Sequence, residues 1–202
     1  MANISLSDFV DYISKAGTSK FTKVKEISRR DNYHPAFDFW KVLRDSIVEL
    51  HKNKYDKNEL DKVLNDLTDK KKIKRYPELI KKYKSFLGRK KIEWFDPPYE
   101  EWIYNGLRIR LNPELGLEIN GKLYVLKLWF KAEKLSKNKA ELILLLMNEK
   151  LKTRKFDEVN FAVLDVGNNK LFESTNLTSS EFSLIEAEAL SFMKMWNSLN
   201  EE

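Results

Sequence analysis

The sequence contains no cysteine, and this absence excludes several classes of protein at once. Without thiols the chain cannot form disulfide bonds, thiolate zinc sites or a cysteine nucleophile. The two histidines, His34 and His51, lie too far apart on one predicted helix to share a metal ion. Any metal ion would therefore depend on oxygen ligands. The lack of cysteine also fits a reducing compartment, so we expect a cytoplasmic protein.

Long apolar runs and glycine-rich loops are missing as well. No run of about eighteen apolar residues is present, so we expect no membrane span and no membrane partner. The first ten residues show no basic start followed by an apolar stretch, so no secretory signal is expected. The six glycines are scattered and form neither a phosphate-binding loop nor a Gly-x-Ser-x-Gly motif. Nucleotide hydrolysis, dinucleotide binding and serine catalysis are therefore disfavoured.

What is present is enough apolar material for a real core. The chain has 202 residues, of which 42% are hydrophobic and 12% aromatic, although 34% are charged. This composition is typical of a folded chain rather than a disordered one. Some aromatic residues could instead anchor an interface, so a homodimer is one possible assembly. The tryptophans with this role, in a core or an interface, would be Trp40, Trp102, Trp129 and Trp196.

The charge is unevenly distributed along the chain. The overall net charge is +6, but residues 1–92 carry +10 and residues 93–202 carry −4. The excess is concentrated in residues 70–91, where eleven lysines and arginines face one acid, Glu78. Clustered cations attract polyanions, so DNA or RNA is the expected partner. The candidate contact residues are Lys70, Lys71, Lys72, Lys74, Arg75, Lys81, Lys82, Arg89 and Lys90.

Two interpretations of this basic stretch remain open. In the first, its cations contact phosphates while Tyr76, Tyr83 and Trp94 stack on exposed bases. In the second, the lysines form an ordinary solvated helix face, and Tyr83 belongs to the core with Phe86. No recognised docking motif accompanies the charge.

Residues 1–92 have the periodicity of helices. Short helices are predicted after Ser5 or Ser7 and from Thr18, and a longer one from Pro35 to Lys52. Two more are predicted, one between residues 56 and 69 and one around Pro77 that ends at Gly88. We therefore predict a basic helical bundle over residues 1–92.

Residues 93–202 change to the periodicity of strands. Residues 94–98 contain two prolines and indicate a junction, and Asn105-Gly106 and Asn120-Gly121 predict two hairpins. The nearly apolar run Leu123–Phe130 predicts a central strand that is covered on both faces. The elements predicted after it are a helix over 136–152, strands over 159–166 and 170–173, and a last helix opened by a Thr178–Glu181 capping box. The predicted fold class is α+β with an α/β-like core, a helical bundle followed by a mixed sheet flanked by helices.

Roughly residues 100–166 resemble the core of a known enzyme superfamily. The resemblance rests on two segments separated by a tight turn, Asn112–Ile119 and Leu123–Lys131. Their order resembles the core of the PD-(D/E)XK, or restriction-endonuclease-like, superfamily. The resemblance implies an acid on the second core strand and an acid-x-Lys triplet on the third. In that superfamily the two acids hold a divalent metal ion, and the lysine positions the attacking water.

Carried over to this chain, the motif is incomplete. Glu114, preceded by Pro113, or Glu118 would be the strand acid, and Lys127 or Lys131 the lysine. The position two residues before each lysine is apolar, Val125 or Trp129. The resemblance therefore implies a degenerate nuclease with Glu114, Glu118 and Lys127 as catalytic candidates. Mg²⁺ is the implied cofactor, with Glu118 and Asp165 as ligands and Glu133 or Glu141 as migrated acids.

Each of these residues also has an ordinary structural interpretation. Lys127 could lie beside Glu118 across the hairpin, or it could point outward with its stem on the sheet. Glu114 and Glu118 could form a catalytic pair or simply alternate toward solvent. Asp165 could be a third acid or could make a structural hydrogen bond near a strand end. Two functions stay open, a nucleic-acid-associated protein with a weakened or inactive endonuclease-like domain, or an interaction module without nucleic acid.

Overall fold

The computed structural model describes residues 1–30, 38–173 and 179–199. The helices are α1 (Leu6–Ile13), α2 (Thr18–Ser28), α3 (Lys41–Lys52), α4 (Lys70–Leu87), α5 (Lys137–Leu151) and α6 (Ser179–Ser198). The strands are β1 (Ala2–Ser5), β2 (Ile92–Phe95), β3 (Glu100–Tyr104), β4 (Leu107–Leu111), β5 (Leu115–Ile119), β6 (Lys122–Trp129), β7 (Asn160–Asp165) and β8 (Lys170–Glu173). Short 3-10 helices span Lys57–Leu64, Arg154–Phe156 and Val166–Asn168.

The strands form two mixed sheets. The larger sheet has the order β2-β5-β6-β7-β8, in which β6 and β7 are parallel and the other neighbours are antiparallel. The smaller sheet has the order β1-β4-β3, with β1 parallel and β3 antiparallel to β4. This architecture confirms the predicted α+β class, with two mixed sheets where the sequence analysis predicted one. The endonuclease-like order implied by the resemblance stays a prediction.

Both predicted Asn-Gly turns form hairpins. Asn105-Gly106 connects β3 to β4, and Asn120-Gly121 connects β5 to β6. All four turn residues have positive φ, the backbone conformation for which asparagine and glycine are suited. The hairpins belong to different sheets, because β2 rather than β4 is the other neighbour of β5.

The larger sheet is the middle of three layers. On one face Val125 and Trp129 of β6 pack in a core that also contains residues of α1, α5 and α6. On the other face Leu126 and Leu128 pack in a second core with residues of α3 and α4. The alternation of β6 residues between two cores explains its nearly continuous apolar sequence. The prediction of a central strand covered on both faces is confirmed.

The helices before residue 92 are divided between these two cores. Residues of α1 and α2, including Phe9 and Val24, share the first core with residues of α5 and α6. Helices α3 and α4 cover the opposite face of the sheet with Leu43, Ile47 and Leu79. Each core therefore contains residues from both sides of residue 92. The division into domains at that residue stays a prediction.

Local capping residues mark several helix ends, although the start of α4 at Lys70 lies earlier than the helix predicted around Pro77. Ser5 caps α1, Asp69 caps α4 and Ser136 caps α5, each by accepting a hydrogen bond from a backbone N–H of the first turn. Gly88 ends α4 with positive φ. His34, the predicted helix start at Pro35 and the predicted capping residue Thr178 lie outside the described residues.

Strand β2 lies where the sequence predicts the start of a junction, and strand β1 is not predicted at all. Its four residues Ala2–Ser5 alternate between buried and exposed positions and pair with β4. A run this short carries little periodicity, and its strand conformation depends on a partner more than a hundred residues away. Among the described residues, no helix combines the length and the apolar character needed to cross a bilayer.

Candidate functional site

Glu114 and Lys127 form a covered ion pair at the start of β5. Lys127 Nζ lies 2.6 Å from Glu114 Oε1, and the two side chains are 12% and 8% exposed. Lys127 Nζ also donates to the Asn112 carbonyl oxygen at 3.1 Å. Glu114 Oε2 accepts a hydrogen bond from the Leu128 backbone N–H at 2.7 Å. Both carboxylate oxygens of Glu114 are therefore occupied by donors of the protein itself.

The register of β5 and β6 brings these two residues together. Leu115 lies opposite Leu126 in the antiparallel pair. Glu114, just before Leu115, therefore lies beside Lys127, just after Leu126. Of the residues implied by the resemblance, the structure thus brings together Glu114 and Lys127. Val125, two residues before Lys127, is fully buried in the apolar core. It provides no oxygen atom at the position where the superfamily has its second acid.

Arg44 of α3 is close enough to influence this pair. It donates to Asp38 at 2.8 Å. Burial alone would lower the pKa of Arg44, but Asp38, Glu114 and Asp45 together raise it above its usual value. Arg44 thus stays charged and adds a second cation to the surroundings of Glu114.

Glu118 lies elsewhere on the sheet. It is exposed, and in the sheet register it lies opposite Leu123 of β6 and Glu93 of β2. The predicted neighbourhood of Glu118 and Lys127 is wrong, because antiparallel pairing places Glu114 beside the lysine. Glu118 is four residues further along β5, near the Asn120-Gly121 turn, and shows the outward alternation expected of a solvent-facing residue.

Asp165 is fully buried and has a structural role. Its carboxylate accepts hydrogen bonds from the Leu135 N–H and the Asn168 N–H, at 3.0 and 3.1 Å, and from the Asn168 side-chain amide at 2.9 Å. These contacts connect the end of β7 to the loop before α5 and to the turn that follows. In the sheet, Asp165 lies opposite Trp129 of β6, and Glu118 lies opposite Leu123 of the same strand, six residues away. Six strand residues span about 20 Å, so Glu118 and Asp165 cannot share a metal ion.

The donor set does not suit a hard divalent cation. In the described ranges, no group of three His, Asp or Glu side chains is placed to hold a metal ion. Glu141 pairs with Lys137, and Glu133 pairs with Lys139. The alternative triplet lysine, Lys131, pairs with Asp11. None of these three ion pairs includes Glu114. Asp11, Glu133 and Glu141 are each paired with a lysine.

A second charged feature is the outer side of α4. Lys70, Lys74 and Lys81 lie within about 40° of one another around the helix axis, opposite the buried positions. Lys71 and Lys82 lie about 60–80° further around the axis, beyond Lys74, and Glu78 lies between them and the row of the first three. We call the five lysines the α4 lysine face. In the described part of the chain the ion pairs of α4 are those of Arg75 with Glu78 and Lys84 with Asp61, so the α4 lysine face has no carboxylate partner there.

Some of the other predicted contact residues are engaged with the protein. Arg75 pairs with Glu78 at 2.9 Å. Lys90 donates to the Phe86 carbonyl oxygen, and its ammonium lies 4.6 Å from the centre of the Phe86 ring. Lys72 lies 5.9 Å from the centre of the Phe39 ring. Arg89 is exposed just after the helix.

The aromatic residues near the basic stretch are not available for stacking on bases. Tyr76 and Tyr83 are fully buried, and Tyr83 and Phe86 belong to the core between α4 and the larger sheet. Trp94 is half-buried and its indole N–H donates to Asp96 at 3.3 Å. The interpretation of Tyr83 and Phe86 as core residues is confirmed.

One charged cluster was missed by sequence reasoning. Asp11 of α1 pairs with Lys131 at 2.5 Å and with Lys139 at 3.1 Å, and both ammonium groups lie near the Trp129 ring. Burial alone would raise the pKa of Asp11, but the two lysines lower it below its usual value. The residues are about 120 positions apart in the sequence, so no local pattern could predict the cluster.

The comparisons with known proteins assign no family. No protein-family model matches the chain, and a search of curated proteins finds no significant match.

Proposed function

We propose that this protein binds nucleic acid through the α4 lysine face and that its larger sheet acts as a scaffold without nuclease activity. The observation that carries the proposal is the exposed row of lysines on α4 without carboxylate partners in the described part of the chain. Such a row attracts the phosphates of a polyanion and releases their counterions.

The energetics of α4 support a functional role for these lysines. The first turn holds Lys70, Lys71 and Lys72, three cations near the positive end of the helix dipole, where Asp69 at the N-cap supplies a carboxylate. Lys70 and Lys74 are four residues apart, so their like charges repel. Both arrangements cost helix stability, and a bound polyanion would offset this cost.

Salt-dependent binding tests the proposal. Fluorescence anisotropy with a labelled oligonucleotide should show a linear fall of log affinity with log salt concentration. Replacing Lys70, Lys74 and Lys81 with alanine should reduce the slope by about 2.7, because each phosphate of duplex DNA that a lysine neutralises adds about 0.9 to it. The matched control replaces three exposed lysines on other elements, Lys15, Lys122 and Lys134, with alanine and changes the net charge equally.

The stability of the same variants separates function from folding. Alanine is the best helix former and removes like-charge repulsion, so the α4 variant should unfold at the same or a slightly higher temperature. Weaker binding without loss of stability would support the proposal. Equal affinities for the α4 variant and its control, or no binding at low salt, would contradict it.

The scaffold interpretation of the sheet rests on Glu114. Its two oxygens are held by Lys127 and by the Leu128 N–H, and the nearby Val125 is apolar. We therefore expect no cleavage of plasmid or single-stranded substrates with Mg²⁺ or Mn²⁺. Cleavage that is abolished in Glu114→Gln and retained in Glu118→Ala would show that nuclease chemistry survives at this pair.

A second candidate function is protein interaction without nucleic acid. A groove of about 990 Å³ lies between α1, α5 and α6, and its apolar walls include Ile13, Leu142, Leu145, Leu184 and Ile185. Leu184 is 68% exposed and extends the apolar wall of the groove to the surface. If this groove mediates self-association, sedimentation velocity should show a dimer that Leu184→Lys dissociates. A wild-type monomer would contradict this alternative.

A further inference from the structure

We infer that the α4 lysine face recognises duplex nucleic acid through its backbone, independently of base sequence. This inference rests on the proposed function and names its substrate class. Three features of α4 carry it: its length, the chemistry of its outward side chains and the burial of its aromatic residues.

The length and straight spacing of the face suit a rigid array of phosphates. The face runs from Lys70 to Lys82 and spans about 18 Å along α4. The exposed lysines Lys70, Lys74 and Lys81 follow one side of the axis, four and seven residues apart. About five base pairs of a duplex have the same length, since each pair adds about 3.4 Å. A duplex also presents its phosphates at fixed positions, so a preformed row of cations can contact several of them at once.

The outward side chains contact phosphates well and read bases poorly. The five residues of the face are all lysines, which act as compact point charges rather than as planar bidentate donors. Arg75 is paired with Glu78, so its guanidinium is already engaged. Bidentate base contacts in the major groove suit the planar guanidinium of arginine and the amides of asparagine and glutamine better than the point charge of lysine, which can also contact guanine. The face therefore provides position and affinity but little sequence discrimination.

Single strands require features that this side of α4 lacks. Proteins that bind single strands combine a positive groove with aromatic side chains on which bases stack. Here the helix is a convex surface, and its aromatic residues Tyr76, Tyr83 and Phe86 are at most 8% exposed. A flexible strand would lose conformational entropy on this surface without any gain from stacking. The duplex is therefore the favoured ligand.

The test compares one oligonucleotide sequence in single- and double-stranded form. Anisotropy titrations would use 16-base-pair DNA and RNA duplexes, each of their single strands, and a second DNA duplex of different sequence. If all five lysines make contacts, we expect a salt slope of about 4.5 on duplex DNA, against about 3.5 on a single strand. The two DNA sequences should bind equally, because phosphate contacts carry no sequence information.

The outcomes separate this inference from the function on which it rests. Either duplex should bind more tightly than its single strands, and the triple variant Lys70→Ala, Lys74→Ala, Lys81→Ala should lose this preference. That result supports both the duplex inference and the proposed function. Binding of single strands that is equal or tighter overturns the duplex inference and leaves the proposed function intact. A strong preference for one of the two DNA sequences overturns backbone recognition. Absence of binding to every oligonucleotide at low salt overturns the proposed function itself.

Discussion

The Lys127 ammonium lies 2.6 Å from the Glu114 carboxylate in a position where both side chains are almost completely covered. Pairing between β5 and β6 produces this contact, and the Leu128 N–H completes the surroundings of the carboxylate. Covered ion pairs are sensitive to the removal of one partner, because the remaining charge keeps its desolvation cost without compensation. The pair therefore makes a clear prediction about stability.

Lys127→Met should destabilise the protein by about 3–5 kcal/mol, because it leaves Glu114 charged and buried with one partner fewer. The double variant Glu114→Gln/Lys127→Met should recover part of this loss, since glutamine is neutral and can still accept from the Leu128 N–H. Urea unfolding of wild type, both single variants and the double variant measures the coupling. Lys122→Met, at an exposed position of the same strand, is the control. Effects that add within about 0.5 kcal/mol would contradict a coupled pair.

Gly116 is expected to tolerate no side chain. It pairs with Phe95 of β2, and a Cβ atom at this position would lie 2.3 Å from the Phe95 carbonyl oxygen and 2.7 Å from its ring. Backbone atoms cannot move aside as a flexible side chain can, so Gly116→Ala should destabilise the protein by at least about 1–3 kcal/mol. Thermal unfolding followed by circular dichroism measures this effect. Glu118→Ala, exposed on the same strand, should change stability by less than about 0.5 kcal/mol.

His51 should make the protein less stable as the pH falls. Its Nε2 atom lies 2.7 Å from the Tyr83 hydroxyl in the core, and burial lowers the pKa of His51 to about 4. In the unfolded chain the pKa of histidine is about 6.5. Between these values the unfolded chain binds a proton that the folded protein does not bind. Stability is therefore fully present above about pH 6.5 and decreases as the pH falls toward 4.

The comparison of wild type with His51→Gln isolates this residue. The difference between their unfolding free energies should change by about 1.4 kcal/mol per pH unit between pH 6.5 and 4, about 3 kcal/mol in total. Chemical unfolding at a series of pH values gives the measurement. Parallel pH profiles for the two proteins would show that His51 is not buried in its neutral form.

Separate fragments test the predicted division at residue 92. Strand β1 pairs with β4, and each core contains residues from both sides of the division. We therefore expect fragment 93–202 alone to show no cooperative thermal transition, because it exposes the faces that α1 and α3 cover. Mixing it with fragment 1–92 should restore one. A cooperative transition of fragment 93–202 by itself would establish it as an independent domain.

Much of the secondary structure was predictable because its signals are local. The Asn-Gly turns require positive φ, Gly88 ends α4, and Ser136 caps α5, so neighbouring residues are sufficient to indicate these features. The candidate site was only partly predictable. Glu114 and Lys127 were both identified from a resemblance, but the sequence did not show which glutamate faces the lysine.

The sequence by itself determined most helices, the strands from residue 100 onward and the concentration of charge in residues 70–91, because periodicity and composition are properties of neighbouring residues. Tertiary structure alone decided the contacts between distant residues. It paired β1 with β4, placed Asp165 about 20 Å along the sheet from Glu118, and buried Tyr76 and Tyr83 beneath the lysines of α4. Strand register and the choice of face depend on which surfaces can be buried together, and a linear pattern does not contain that information.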